Sequence, residues 1–391
     1  MSKKAPLIET LSLKGLEIAP SQVCGGIRIV PLLRRQVNYD LRLFKRTYRD
    51  DLTMVSLAGK PLDPGLKYLS YVPHGLVLSW SEDGSPVAAL GGQLLNEGQH
   101  FACGPTQMRV LHRMAKRESS QQLRFLPLHL AMEGFLSLYF SGPEIIWKDY
   151  SRLARSHGLV ARSEWSVSGR AIAGLEDALR VFEIHDHQVG VLLFVADALA
   201  STFVTPTPED YRALHTSLLA DFYGELIFEY GLVGTANPLE TKIDATQIES
   251  LAALQEAVAK MRADWASFQG FMASNLLARD VKSQRLYTAG PFTLQRFITD
   301  LQLKSENHIG EAIIHADGQL EYLKTYRLSE AQTRRAYLLS QLAAHGWNLD
   351  DTAAALNQSR EDLVYRLEKA GFGYLLNNQV REQARSSRRR R

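Results

Sequence analysis

The chain has 391 residues, of which 45% are hydrophobic and 22% charged. That is the make-up of a globular protein long enough for two or three domains, and it excludes a collagen, a coiled coil or a wholly disordered chain. Lys and Arg number 45 against 42 Asp and Glu, a formal charge of +3, but Arg388 to Arg391 alone carry four positive charges and the rest stands at −1. Bulk charge therefore gives no argument for a nucleic-acid partner.

Two cysteines, Cys24 and Cys103, are too few for a disulfide framework or a closed zinc site and fit a reducing, cytoplasmic setting. The stretch Met1 to Ala19 holds no apolar run of signal-peptide type. Gln188 to Leu199 is the kind of apolar run found here, and Gly190 and Asp197 interrupt it well short of a bilayer span, so no membrane partner is expected.

Residues 1–20 read as a flexible N-terminus. From 21 to 118 the chain reads as strands and turns, with β-prone runs at Ile27 to Val30 and Leu52 to Val55. Leu76 to Trp80 meets the turn signal Ser81-Glu82-Asp83-Gly84-Ser85 before Val87 to Leu90, which predicts a hairpin. Gly91-Gly92 after it predicts a bulge or a close backbone approach. From 119 to 328 the pattern is mixed. Pro143 to His157 has a helical period, Gln188 to Val195 and Leu199 to Val204 pair about the turn Ala196-Asp197-Ala198, and Thr207-Pro208-Glu209-Asp210 starts a helix. Leu214, Leu218, Phe222 and Leu226 give that helix its buried stripe. A connector and then a further helix through Leu251, Leu254, Val258 and Met261 are expected in 235–275. Strands follow at Phe292 to Ile298, Ala312 to Ile314 and Gln319 to Tyr326, the last two joined through Asp317-Gly318.

Residues 329–376 form the clearest unit. Ser329-Glu330-Ala331-Gln332 is a capping box, Asn348 to Leu356 a second helix, Asn357 a residue that tolerates the left-handed conformation, and Ser359 the cap of a third helix that Gly371 closes. Three short helices with a tight turn before the last follow the helix-turn-helix plan. Residues 377–391 are left as a basic tail. The expected fold class is thus α+β: a β-rich N-terminal part, a mixed α/β middle and a C-terminal three-helix module.

Candidate ligand chemistry is sparse. His185-Asp186-His187 is the densest cluster, and His185 and His187 point to one side if the strand begins early. Two imidazoles do not complete a metal site, and a polar turn ahead of the strand is the competing reading. Glu133 and His129 are the partners considered from elsewhere in the chain, and Trp80, beside the β-rich half, is placed to stack a nucleotide base. No catalytic residue, metal site or cofactor is identified.

The C-terminal unit resembles the Fis-type helix-turn-helix of bacterial nucleoid and response-regulator proteins. The correspondence runs without a gap through Asn348, Ala353-Ala354, Leu356, Asn357, Arg360, Leu363, Leu367, Lys369 and Gly371, with Asn357 where the family usually has glycine. The resemblance implies DNA binding, through Ser359, Arg360, Arg366 and Lys369 with help from Arg388, Arg389, Arg390 and Arg391. Between Gly346 and Leu376, however, three basic residues face five acidic ones, a balance of −2 that is the wrong sign for phosphates.

Farther back, Trp147-Lys148-Asp149-Tyr150, Gln188-Val189-Gly190 and Leu218 to Tyr223 are similar to the ARG and Rhodanese-Phosphatase-superfamily-associated protein domains, as are the opening strand Gly25 to Leu32 and the step Met132-Glu133-Gly134. The second subgroup of that family is the nearer. The genomic company of such domains implies an NAD- or ADP-ribose-derived ligand. The expected function is a bacterial, cytoplasmic regulator or adaptor that binds such a ligand through its body and DNA through its C-terminal helices. The alternative is an enzyme on NAD-derived or ADP-ribosylated substrates, with the helices as a structural or oligomerising element that could pair copies of the chain.

Overall fold

The computed structural model describes residues 5–39, 41–43, 181–231 and 243–389, together with the backbone strands between 66 and 125 and positions 128, 132, 135, 136, 139 and 140. The anticipated segments at Leu52 to Val55 and Pro143 to His157 lie outside the described residues. Among the described residues no helix is long and apolar enough to cross a membrane. The fold is α+β, as the sequence indicates.

Two sheets organise it. The smaller holds β4 (Leu41–Leu43), β5 (Leu66–Ser70), β6 (Val72–Pro73), β7 (Leu76–Trp80), β8 (Pro86–Asn96), β9 (Gln99–Ala102), β10 (Thr106–Arg109) and β11 (Arg124–Phe125). The expected hairpin is β7–β8, in antiparallel register with Trp80 opposite Pro86. Gly91-Gly92 sits where β8 leaves β10 and β6 for β5 and β9, so one strand serves two ladders.

The larger sheet is antiparallel throughout and runs β1-β3-β12-β13-β17-β16-β15-β14, with β2 also on β3. Its strands are β1 (Glu17–Ile18), β2 (Gln22–Cys24), β3 (Ile27–Leu33), β12 (Gln188–Val195), β13 (Ala198–Val204), β14 (Val281–Ala289), β15 (Phe292–Thr299), β16 (Asn307–His315) and β17 (Leu320–Leu328). Polar-rich β14, an edge strand with Lys282, Gln284 and Arg285 exposed, escaped the sequence reading because it lacks an apolar run. The described N-terminal residues are tied to the larger sheet. Thr10 bridges Asp280, the Ile8 amide donates to Gln295 Oε1 at 2.9 Å, and β1 pairs with β3.

Both faces of this sheet are covered, which explains why β12 reads as a continuous apolar run instead of an alternating one. One face buries Val191, Leu193, Phe203, Ile309, Tyr322 and Tyr326; the other buries Val189, Leu192, Val204, Phe297 and Leu323. On the first lie α1 (Pro208–Ser217) and α2 (Gly224–Gly231). Thr207 Oγ1 accepts from the Asp210 amide at 3.1 Å and Pro208 occupies the first turn, so α1 begins as its sequence directs. Between α1 and α2, Leu218–Phe222 widens to a π-turn. That extra residue per turn brings Tyr223 inside next to Phe222, beyond the stripe that a plain helical period gives.

On the second face lie the C-terminal end of α3 (Leu251–Met272) and α4 (Ser274–Leu277), through Met272 and Leu276. Ser250 caps α3, its Oγ accepting from the Ala253 amide at 3.1 Å. The apolar stripe does not go into the core, however: Leu251 is 71% exposed and Leu254 is also exposed. Only the last turns of α3, at Gln269 and Met272, reach buried surroundings.

Tight strand packing gives a direct test. A methyl group at Gly310 would meet the Lys324 carbonyl oxygen at 2.3 Å, whereas one at Gly270 in α3 would meet nothing within 4 Å. Gly310→Ala is expected to cost about 1–3 kcal/mol through overpacking, and Gly270→Ala to add about 0.5–1 kcal/mol through helix propensity. Urea unfolding midpoints of the two variants check both signs.

Candidate functional site

Four helices end the chain: α5 (Glu330–Ala344), α6 (Leu349–Ala355), α7 (Arg360–Lys369) and α8 (Asn378–Arg389). The first and third start on the anticipated caps, and the second is capped by Asn348. Ser329 and Gln332 exchange both capping-box bonds, Asn348 Oδ1 accepts from the Asp350 and Asp351 amides, and Ser359 Oγ accepts from the Asp362 amide. Asn357 takes φ 51° in the tight turn between α6 and α7. Within the basic tail, residues 378–389 form α8, which packs on α7 with Ala384 buried. Nor is the module separate. Ala336, Leu338, Leu342, Ala353, Leu363 and Leu367 belong to the same buried cluster as Phe203 and Tyr326 of the sheet.

The charge balance of −2 misdescribes the surface that α7 presents. Its exposed residues are Arg360, Tyr365, Arg366 and Lys369. Two of its acids are engaged elsewhere. Asp362 Oδ2 accepts from the Ser359 hydroxyl at 2.7 Å, and Glu368 Oε1 takes Arg381 Nε at 2.6 Å and Arg385 Nη2 at 3.1 Å. Those two guanidinium groups hold the Glu368 carboxyl below its ordinary range, Arg381 first. Arg360 faces Asp350 at 3.3 Å. Arg366 donates to Gln358, and the Lys369 ammonium lies 5.2 Å from the Tyr365 ring centre, so neither has a carboxylate partner among the described residues. Ser359 acts as a cap. Arg388 and Arg389 end α8, and Arg390 and Arg391 lie outside the described residues.

Of the other expected ligand residues, the two histidines are described in full. His185 and His187 stand in a turn closed by the Gln188 amide on the His185 carbonyl at 3.2 Å. His187 has φ 62° and β12 begins only at Gln188, so the condition for the two rings to share a side is not met. His185 Nε2 lies 3.3 Å from Gln22 Nε2, and no group of three potential metal ligands occurs among the described residues. Trp80 ends β7. Glu133 and His129 lie outside the described residues.

Sequence reading missed a buried ionic row. Arg296, Glu311 and Lys324 stand opposite one another on β15, β16 and β17, on the helix-covered face. Arg296 Nε meets Glu311 Oε1 at 2.5 Å with both side chains buried. Lys324, 1% exposed, has its ammonium 4.0 Å from the centre of the Phe222 ring, which the π-turn supplies, with Phe203 and Tyr326 somewhat farther off. Burial pushes its pKa well down against the pull of Glu311, and burial pushes Glu311 up against Arg296. A lysine so tuned is a nucleophile or base where substrate can reach it. Here aromatic rings close over it, and the row aligns three strands. A second buried pair, Arg34–Glu321 at 2.8 Å, crosses from the end of β3 to β17 on the other face.

At the β16–β17 turn, Tyr39 stacks on His315 with centroids 3.7 Å apart and donates to Asp317, which also lies 3.0 Å from His315 Nδ1. The Tyr39 bond pulls the Asp317 carboxyl down to about 2 and pushes Tyr39 up to about 12. Asp317 Oδ1 also accepts from the Gln319 amide, so this trio serves the turn.

Two outcomes are expected from these buried groups. Glu311→Gln removes the carboxylate that pairs with buried Arg296 and is expected to cost about 3–5 kcal/mol in urea unfolding. His308 is fully buried with neither ring nitrogen hydrogen-bonded, and burial, followed by Arg327 and Arg279, lowers its pKa from 6.5 to about 3. The unfolded chain takes up that proton near pH 6.5 and the folded chain does not. Its contribution is therefore complete above that pH and declines on acidification, by about 1.4 kcal/mol per pH unit. His308→Leu should flatten the fall in urea midpoint between pH 7 and 5; an unchanged fall removes His308 from the acid response.

Comparison with known proteins places the sheet body. The family model described as ARPP-2 matches residues 11–290, which includes β1 through β14 and all of α1 to α4. The match is longer at both ends than the resemblance seen in the sequence and stops before β15, so the buried row and the four terminal helices fall outside it. No curated protein and no solved structure matches the chain. With well over half its length covered, this chain belongs to the ARPP-2 family.

Proposed function

We propose that this chain is a cytoplasmic regulator that binds double-stranded DNA through its C-terminal helices, with α7 entering the major groove. The observation that carries the proposal is the outward face of α7, where Arg366 and Lys369 have no carboxylate partner among the described residues while Asp362 and Glu368 of the same helix are bonded inside the module. Exposed cations on a helix preceded by a tight turn suit phosphate and base-edge contacts. The gap-free likeness of 348–371 to Fis-type modules supports the same reading.

The body is proposed to hold a nucleotide-derived ligand of the NAD or ADP-ribose type, a reading supported by the genomic association of its family's relatives. His185, His187, Glu133 and Trp80 are its expected contacts. The hydrophobic cluster common to the sheet and the module supports coupling between ligand and DNA. That common core also dictates the test: cutting the chain after Leu328 would strip buried residues from the sheet, so point variants of the full chain are used.

Mobility shift of the full chain on mixed genomic fragments, at 50 to 200 mM salt, is expected to give a salt-steep shift that selects particular fragments. Substituting Arg366 and Lys369 together with alanine should weaken binding at least tenfold and lower the salt slope by about 2, one for each phosphate that the pair neutralises. Absence of any shift at 50 mM salt would sink the DNA reading.

A further inference from the structure

Glu368 occupies a position that the DNA reading leaves unexplained. It is a carboxylate on α7, the helix assigned to the groove, and it binds two arginines of the following helix through one oxygen, Oε1. The two arginines are held unequally. Arg381 is one-third exposed, packs against Gly373 and also reaches Asn378 Oδ1, so it is part of the α7–α8 interface. Arg385 stands one turn further on, is 60% exposed, and has Glu368 as its acceptor among the described residues.

We propose that Glu368 is an internal substitute for a DNA phosphate, which keeps Arg385 docked on α7 in the free protein and yields it to the backbone of duplex DNA when α7 enters the groove. The proposal rests on the DNA reading above and adds a role for α8, which the sequence showed only as a run of basic residues. Its chemistry is an exchange of acceptors: a guanidinium moves from a carboxylate to a phosphate oxygen, each bond charge-assisted. An exposed ion pair is weak, so the exchange is within reach of a phosphate contact. Arg381 stays on Glu368 and keeps α8 in place beside α7. Because Glu368 competes with phosphate, it limits nonspecific attraction, and binding then depends more on the base contacts of α7.

The test compares the full wild-type chain with Glu368→Gln and Arg385→Gln on one selected duplex across 50 to 200 mM salt, with thermal unfolding measured alongside. Glu368→Gln is expected to tighten binding about two- to fivefold at low salt, the range of an exposed ion pair, and to tighten unselected duplexes as much. Arg385→Gln is expected to weaken binding and lower the salt slope by about 1, with the melting temperature little changed. Unchanged or weaker binding by a folded Glu368→Gln variant overturns the proposal. If Glu368→Gln fails to fold, Arg385→Gln decides alone: an intact salt slope overturns the proposal, and a slope lowered by about 1 upholds it. Tighter binding of an RNA hairpin than of the duplex overturns the assignment to DNA. A wild-type chain with no shift on any duplex instead defeats the underlying DNA reading.

Discussion

An antiparallel sheet covered on both faces leaves a charged side chain on its central strands no route to water. The larger sheet accepts that constraint at Arg34–Glu321 on one face and at Arg296–Glu311 with Lys324 on the other. Removing a charge from water costs several kcal/mol, which neighbours offset only when their geometry is close. Strand register is therefore set here by more than apolar fit. A slip of one residue between β15, β16 and β17 would move Arg296, Glu311 and Lys324 to opposite faces and separate them from one another.

The same row ties distant parts of the chain together. Phe222, which lies against the Lys324 ammonium, is placed by the π-turn between α1 and α2, and Phe203 comes from β13 within the family-matched body. The row itself lies beyond the match. The C-terminal strands thus complete the core of the ARPP-2 region, and the four terminal helices continue that core without a linker. α5 follows β17 directly, and Leu338 and Leu342 share the sheet's cluster.

Local chemistry was legible wherever a structure is made by neighbours in sequence. The caps Thr207, Ser329 and Ser359 bond as their residue types dictate, because a cap involves only a side chain and an amide two or three residues on. The β7–β8 and β16–β17 hairpins follow from turn signals in the same way. Apolar period was a weaker guide. It marked α3 as a helix through Leu251 and Leu254, which stand exposed, since a period says which side is apolar and nothing about whether a partner covers it. The functional side chains were harder still: His185 and His187 looked paired by spacing, and a left-handed backbone at His187 separated them from the strand geometry that pairing needs.

Sequence by itself determined the fold class, the family resemblance, the caps, the hairpins and the three helices ending at Lys369, all properties carried by short stretches of chain. Tertiary structure alone decided which charges face water. The count of −2 across the module was correct as arithmetic, yet Asp362 and Glu368 are engaged by Ser359, Arg381 and Arg385, which leaves a cationic outer face on α7. Only folding brought Arg296, Glu311 and Lys324, 15 and 13 residues apart in sequence, into one line across three strands. The physical reason is that Coulomb and packing energies depend on distance in space, and the chain's order constrains that distance only over a turn or two.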